Sequence, residues 1–208
     1  MTDGPSIPPP PPSAGNSSLV TRVINILTKP ASEWNVIAAE PSSTGKLITY
    51  AALLSVLAVV FALIGVLLQP YGTYIFQVPS ILIKLLLITY LWAFVPPVVL
   101  AFIMDALTPQ LGGQKNSLNA MKLVIYAATA YWVASIGIIL NQWLWIIAGI
   151  GYAGFLMWVG TPILMKTPSD KTPVYVGAAA GIWFVLSIVL VMIGQRIIFG
   201  GMMYGAMM

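Results

Sequence analysis

Cysteine and histidine are both absent from the 208 residues. Without thiols there is no disulfide, thiolate metal centre, iron–sulfur ligation, cysteine nucleophile or palmitoylation, and without imidazole the usual general base and the usual zinc ligand are missing. Charge is scarce too: only 7% of the residues are Asp, Glu, Lys or Arg, against about 25% in a soluble globular domain. That shortage excludes ordinary cytosolic enzymes, nucleic-acid binders and disordered proteins. What the chain has in excess is apolar surface, with 59% hydrophobic residues and a mean hydropathy of +0.94, more than one soluble core can hide. It reads as a membrane protein whose length suits one domain, and no residue set calls for a cofactor or a metal.

Five apolar stretches are each long enough to cross a bilayer: Leu47 to Leu68, Ser80 to Met104, Asn119 to Leu140, Trp143 to Met165 and Val174 to Phe199. A hydrocarbon core of ~30 Å needs about 20 mostly apolar helical residues. Backbone amides in lipid must bond within their own segment, and the alternating pattern of a barrel is missing, so the spans are helices. The expected fold is an all-α bundle of five transmembrane helices preceded by short amphipathic interfacial helices. Seven of the nine Lys/Arg residues fall on one side of this threading, at Arg22, Lys29, Lys46, Lys115, Lys122, Lys166 and Lys171. Lys84 and Arg196 lie inside helix ends on the other side, where they can snorkel. Basic residues concentrate on the cytoplasmic side, which predicts a cytoplasmic N-terminus and a periplasmic C-terminus. Trp143 and Trp145, with Tyr71, Tyr74 and Phe76, are expected near the outer interface.

Residues 1–18 hold prolines at 5 and 8–12, with no basic start and no apolar run. They read as a disordered Pro-rich cytoplasmic tail and not as a signal peptide. Residues 19–46 carry two short helical patterns separated by Pro30 and closed by Pro41. Leu19, Val20, Val23, Ile24 and Leu27 form the apolar side of the first, with Arg22 and Lys29 beside it. Ser32 is the expected N-cap of the second, and Trp34 and Ile37 mark its apolar side. Such helices suit the headgroup surface, or they pack on the bundle's own cytoplasmic end. The five-helix domain then occupies 47–199, and 200–208 forms a flexible tail.

Intramembrane chemistry needs ionisable groups at depth, and here only Lys84, Asp105 and Arg196 touch the spans, all toward ends. Asp105 reads as a helix-terminal carboxylate in the headgroup layer. Glu33 and Glu40, seven residues apart, share a helix face if Pro41 leaves the pattern unbroken. Pro96-Pro97 removes two amide donors in the second span and is a candidate helix break. Broken helices of this kind line transporter sites, and they also occur as plain kinks whose freed carbonyls are bonded by a neighbour. Gly177 and Gly181 form a G-x-x-x-G, a candidate packing seam within the subunit or, alternatively, a homo-oligomer face.

Three stretches together resemble a known family. They are LTKPASEWNVIAAE with Pro30, Glu33, Trp34, Ile37 and Glu40; LTPQLGGQKNSLNAMKLVIYAATAYW with Pro109, Gly112, Gly113, Asn116, Lys122, Tyr126, Thr129 and Trp132; and MWVGTPILMKTPSDKTPVY with Gly160, Pro162, Pro168, Lys171 and Tyr175. In this order they resemble the Yip (Ypt/Rab-interacting protein) domain family, in particular its bacterial branch of small five-span membrane proteins. The resemblance implies a five-helix membrane domain with a cytoplasmic amphipathic N-terminus. The DLYGP signature of the Rab-linked eukaryotic branch is absent, so Rab binding is not implied.

The expected function is that of a non-enzymatic multi-pass membrane protein of the bacterial inner membrane. It is expected to organise or bind a membrane-protein or anionic-lipid partner, in addition to the bilayer itself, through a cytoplasmic face. The candidate face comprises Glu33, Trp34, Glu40, Gly112, Gly113, Asn116, Lys122, Pro162, Pro168 and Lys171. A small transporter or channel using the Pro96-Pro97 break, with Thr89 and Thr129 lining its path, is the alternative.

Overall fold

The structure, a computed structural model, describes residues 18–70, 72, 77–139 and 142–205, with the backbone alone over 142–146 and 198–205. The Pro-rich segment, Tyr71, Tyr74 and Phe76 lie outside the described residues, as do the side chains of Trp143 and Trp145. Among the described residues the secondary structure is helical, without strands. Two short helices, α1 (Leu19–Thr28) and α2 (Pro30–Ala39), precede the first span, α3 (Thr44–Leu67). The second span is α4 (Pro79–Leu107), continued by a 3-10 turn at Thr108–Leu111. The third consists of α5 (Ser117–Ala127), α6 (Thr129–Ala134) and a 3-10 segment (Ser135–Ile139). The fourth span lies in α7 (Gln142–Leu164) and the fifth in α8 (Thr172–Gly205). All five are long and apolar enough to cross a membrane, and the chain is a multi-pass membrane protein.

Local sequence sets the helix starts. Ser18 Oγ accepts from Thr21 N at 3.2 Å, Ser43 Oγ from Lys46 N at 3.3 Å, and Asn116 Oδ1 from Asn119 N at 3.0 Å, each satisfying an orphan donor of a first turn. In α2 the first position is Pro30 itself, whose missing N–H costs nothing there. Ser32 is therefore not the N-cap; its hydroxyl donates to Lys29 O at 3.1 Å from inside the first turn.

The third span is the hub. In its most apolar window 61% of the residues are buried, against 11% in the fifth span. Its small residues Ala120, Ala127 and Ala130 are buried and let neighbours approach closely. Across from it, Gly149 of α7 would place a Cβ 3.1 Å from Ala134 Cβ and 3.3 Å from Tyr131 Cα, so the third and fourth spans meet on glycine and alanine. The G-x-x-x-G of the fifth span does not serve this purpose. Gly177 and Gly181 have no atom within 4 Å of a Cβ position and are exposed, because α8 turns that face away from the bundle. They are not a packing seam within the chain.

α2 packs on the bundle through Trp34, which is 0% exposed. Its indole lies in a notch at Gly160 of α7, where a Cβ would stand 2.7 Å from Trp34 Cε2 and 2.8 Å from Leu123 Cδ1. Of the two placements open to these helices, Trp34 takes the one against the bundle. A Gly160→Ala variant should lose about 1–3 kcal/mol of stability through overpacking, read as a lowered thermal midpoint in detergent. Gly151→Ala, with nothing within 4 Å, should leave the midpoint unchanged; equal midpoints for both variants would show that Trp34 does not depend on a glycine at position 160.

Candidate functional site

α1 is turned so that Arg22, expected beside the apolar side, points into the bundle and one edge of that side points out, while Val23 and Leu27 stay packed on the core. Arg22 is 4% exposed, while Val20 and Ile24 are 64% and 54% exposed. The reason is a cluster of charges at the end of the bundle where α1 and α2 meet. Arg22 Nη1 donates to Glu33 Oε1 at 2.5 Å and Nη2 donates to Glu40 Oε2. The seven-residue spacing of the two glutamates puts both carboxylates on the face of α2 that α1 covers. Lys122, from α5, completes the arrangement: its Nζ donates to Ile37 O at 2.8 Å and to Glu40 O at 2.7 Å. It thereby caps the C-terminal carbonyls of α2, where a cation is favoured. Two cations and two carboxylates leave the cluster without net charge. Tyr152 OH donates to Leu27 O at 2.6 Å and ties the end of α1 to the fourth span.

Aromatic rings carry this cluster inward. The Arg22 guanidinium lies 5.6 Å from the centroid of Tyr126, within cation–π range. Tyr126 meets Tyr50 edge to face at 5.0 Å, and Tyr50 meets Trp132 at 6.5 Å. The Tyr50 hydroxyl shares a hydrogen bond of 2.8 Å with Thr129 Oγ1. Trp132 Nε1 donates to Ala93 O at 2.9 Å, and Ala93 O is the carbonyl that Pro97, lacking an N–H, cannot engage.

That last bond corrects the candidate helix break. α4 runs as helix through Pro96 and Pro97, both buried, and the freed carbonyl of Ala93 is taken by an indole. The two threonines proposed to line a path are also occupied: Thr129 by Tyr50, and Thr89 Oγ1 by Leu85 O at 2.8 Å. The cavity beside Pro97 is lined by apolar side chains such as Leu100, Met157 and Ala179, with Tyr131 and Trp183.

The candidate face divides in two. Glu33 (5%), Trp34 (0%) and Lys122 (4%) are buried and are not contact surface; ion pairing, the Gly160 notch and helix capping respectively hold them inside. Glu40 is partly covered. Gly112, Asn116, Pro162, Pro168 and Lys171 remain exposed, with Gly113 between. Gly112 adopts φ +77°, and a Cβ there would stand 3.4 Å from Pro168 Cδ and 3.7 Å from Lys171 Cγ. Gly113 presses against Thr108, Thr167 and Met165 O, and Gln114 N donates to Met165 O at 2.8 Å. Two loops distant in sequence thus form one packed surface, to which Asn119 Nδ2 adds a bond to Leu164 O at 3.0 Å. Asp105, expected in the headgroup layer, is instead 7% exposed with Oδ1 unpaired among the described residues. Also among them, no group of three or more acidic, His or Cys residues is placed to hold a metal.

Sequence reasoning missed Arg22 as the partner of both glutamates. The glutamate spacing was the available signal, since two carboxylates on one face of a helix call for a shared cation. Replacing Arg22 with Met should cost about 3–5 kcal/mol, the penalty for stranding buried carboxylates. Adding Glu33→Gln and Glu40→Gln should restore part of the loss, because the uncompensated charge is then gone. Unfolding in detergent reads both, and an unchanged midpoint in the single variant would contradict the cluster. Trp132→Phe should cost about 1–3 kcal/mol by leaving Ala93 O unpaired.

No curated protein and no solved structure matches the chain. The family model of the Yip1 domain matches residues 24–200, a range that includes Glu33, Glu40 and Lys122 and all five spans. This chain belongs to the Yip1 domain family.

Proposed function

We propose that this protein is a non-enzymatic organiser of membrane components, from the bacterial branch of the family and resident in the inner membrane, and that it works through the lysine-rich end of its bundle. One observation carries the reading: the ion cluster holds α1 with its charge inward and its apolar edge, Val20 and Ile24, outward. An apolar helix edge held at headgroup depth is a binding surface for lipid or for another membrane protein. Around it Lys29, Lys46, Lys115, Lys166 and Lys171 are exposed, a charge pattern that attracts anionic headgroups.

The same bias of basic residues supports an orientation with this end in the cytoplasm. The loop unit of Gly112, Gly113, Asn116, Pro162, Pro168 and Lys171 lies on that side and extends the contact surface beyond α1. The enzyme class lacks convergent groups among the described residues, and the transporter reading loses one of the two carbonyls freed by the proline pair to Trp132.

A chain without cysteine makes the test direct. In spheroplasts, an impermeant maleimide should label Gln69→Cys at once and Ser169→Cys only after lysis; the reverse order would place the proposed surface outside. A benzophenone attached at Ile24→Cys in native membranes should give adducts with lipid or with a discrete protein. Those adducts should fall when Arg22→Met is added. Adducts that ignore Arg22 would show that the held orientation of α1 plays no part in contact.

A further inference from the structure

Between α1 and the first turns of α3 lies a groove of about 270 Å³. This is a little under the ~300–1,000 Å³ of a pocket that encloses a drug-sized ligand, so it suits a small polar head whose remainder stays outside. The floor is polar and built, with Arg22 only 4% exposed and Glu40 beside it. The mouth carries Lys46 and Thr49, three residues apart on one face of α3, and the apolar lips Leu19 and Leu53.

The charges select the head. Arg22 is already met by Glu33 and Glu40, so it has no charge to spare for a phosphate. Lys46 is exposed and in no ion pair among the described residues. Glu40 keeps 17% of its side chain accessible. A free phosphate dianion at Lys46 would face the Glu40 carboxylate, whereas a zwitterion with a primary ammonium satisfies both sites, its phosphate on Lys46 and its N–H donors, which a quaternary ammonium lacks, on Glu40. Beyond the mouth, exposed Leu53, Val56 and Val60 follow one another at spacings of three and four along α3, an apolar track leading from the groove down the first span.

We propose that this groove binds the headgroup of an amine-bearing glycerophospholipid of the phosphatidylethanolamine class. Its phosphate rests on Lys46 and Thr49, its ammonium reaches Glu40, and its chains leave between Leu19 and Leu53 along Val56 and Val60. The proposal rests on the reading that the lysine-rich end meets the headgroup layer, and it adds a specific ligand to it.

The full chain in phosphatidylcholine vesicles, doped with a photoactivatable phosphatidylethanolamine, tests this. Label should map to the peptides of α1 and α3 and should drop about tenfold in Lys46→Gln, the equivalent of one charge-assisted hydrogen bond. Leu53→Trp, which fills the mouth from an exposed position, should lower it similarly while the thermal midpoint holds. A phosphatidylglycerol probe, lacking the ammonium, should label these peptides less. Labelling indifferent to head chemistry or to both variants would reduce the contact to ordinary annular lipid and overturn the proposal. Displacement by millimolar inorganic phosphate would overturn it in favour of a free-anion site. If the Ile24→Cys adduct still depends on Arg22 while the groove probes do not respond, only the lipid site falls and the organising role stands.

Discussion

An arginine stays charged at any pH a cell meets, so a guanidinium turned into the end of a helix bundle has to be met there by carboxylates. Glu33 and Glu40 do this from one face of α2, and Lys122 holds the end of the same helix by its carbonyls. The placement of both surface helices follows from that neutralisation. α2 must present its glutamate face to α1, which leaves Trp34 to fill the notch at Gly160. α1 must present Arg22, which leaves Val20 and Ile24 on the outside. Val23, Ile26 and Leu27 still pack on the bundle, and an apolar edge left outside them is unfavourable in water and natural beside lipid.

The cluster also reaches the middle of the bundle through contacts that leave few polar groups unpaired. Tyr126 lies under the guanidinium, Tyr50 meets Tyr126, Trp132 meets Tyr50, and the Trp132 indole closes on the carbonyl freed by Pro97. Pro97 is thereby absorbed into the packing of the third span against the second. A broken helix serves transport when its freed carbonyls face a water-filled space; here the carbonyl of Ala93 is paired and the nearby cavity has mostly apolar walls. The chain has spent its backbone irregularity on packing.

The spans and the end that carries the lysines were legible because they depend on composition over about 20 residues, which the bilayer thickness dictates. The facing of α1 was not. Helical periodicity locates a stripe, but whether the stripe meets protein or lipid depends on what lies on the other side. Trp34 shows the same difficulty, since a tryptophan near the membrane surface suits both the headgroup layer and a buried notch, and only Gly160, distant in sequence, decides between them. Small-residue spacing misled in the same way. Gly149, four residues before Ala153, approaches the third span closely, while Gly177 and Gly181, at the same spacing, have nothing within 4 Å of a Cβ position, because a close approach is a property of two helices and the pattern describes one. The glutamate pair was visible, and what it lacked was the fold-back at Pro30 that brings Arg22 over it.

Why an ion cluster sits here, when apolar side chains often fill such a space with equal stability, can be argued from α1 itself. Thr21, Asn25 and Thr28 mark a polar side on α1, and with an apolar residue at position 22 the rest of the helix, Leu19, Val20, Val23, Ile24, Ile26 and Leu27, would form one broad apolar arc within which packing alone would fix the rotation poorly. Arg22 permits one rotation, because every other one strands either the guanidinium or two carboxylates. The cluster therefore contributes orientation more than stability. It also sets the groove beside α3, since Glu40 serves both the guanidinium and the groove's floor. A ligand ammonium drawing on that carboxylate is coupled to the pairing that holds α1, and by linkage the hold on α1 tunes the affinity of the groove to the same degree.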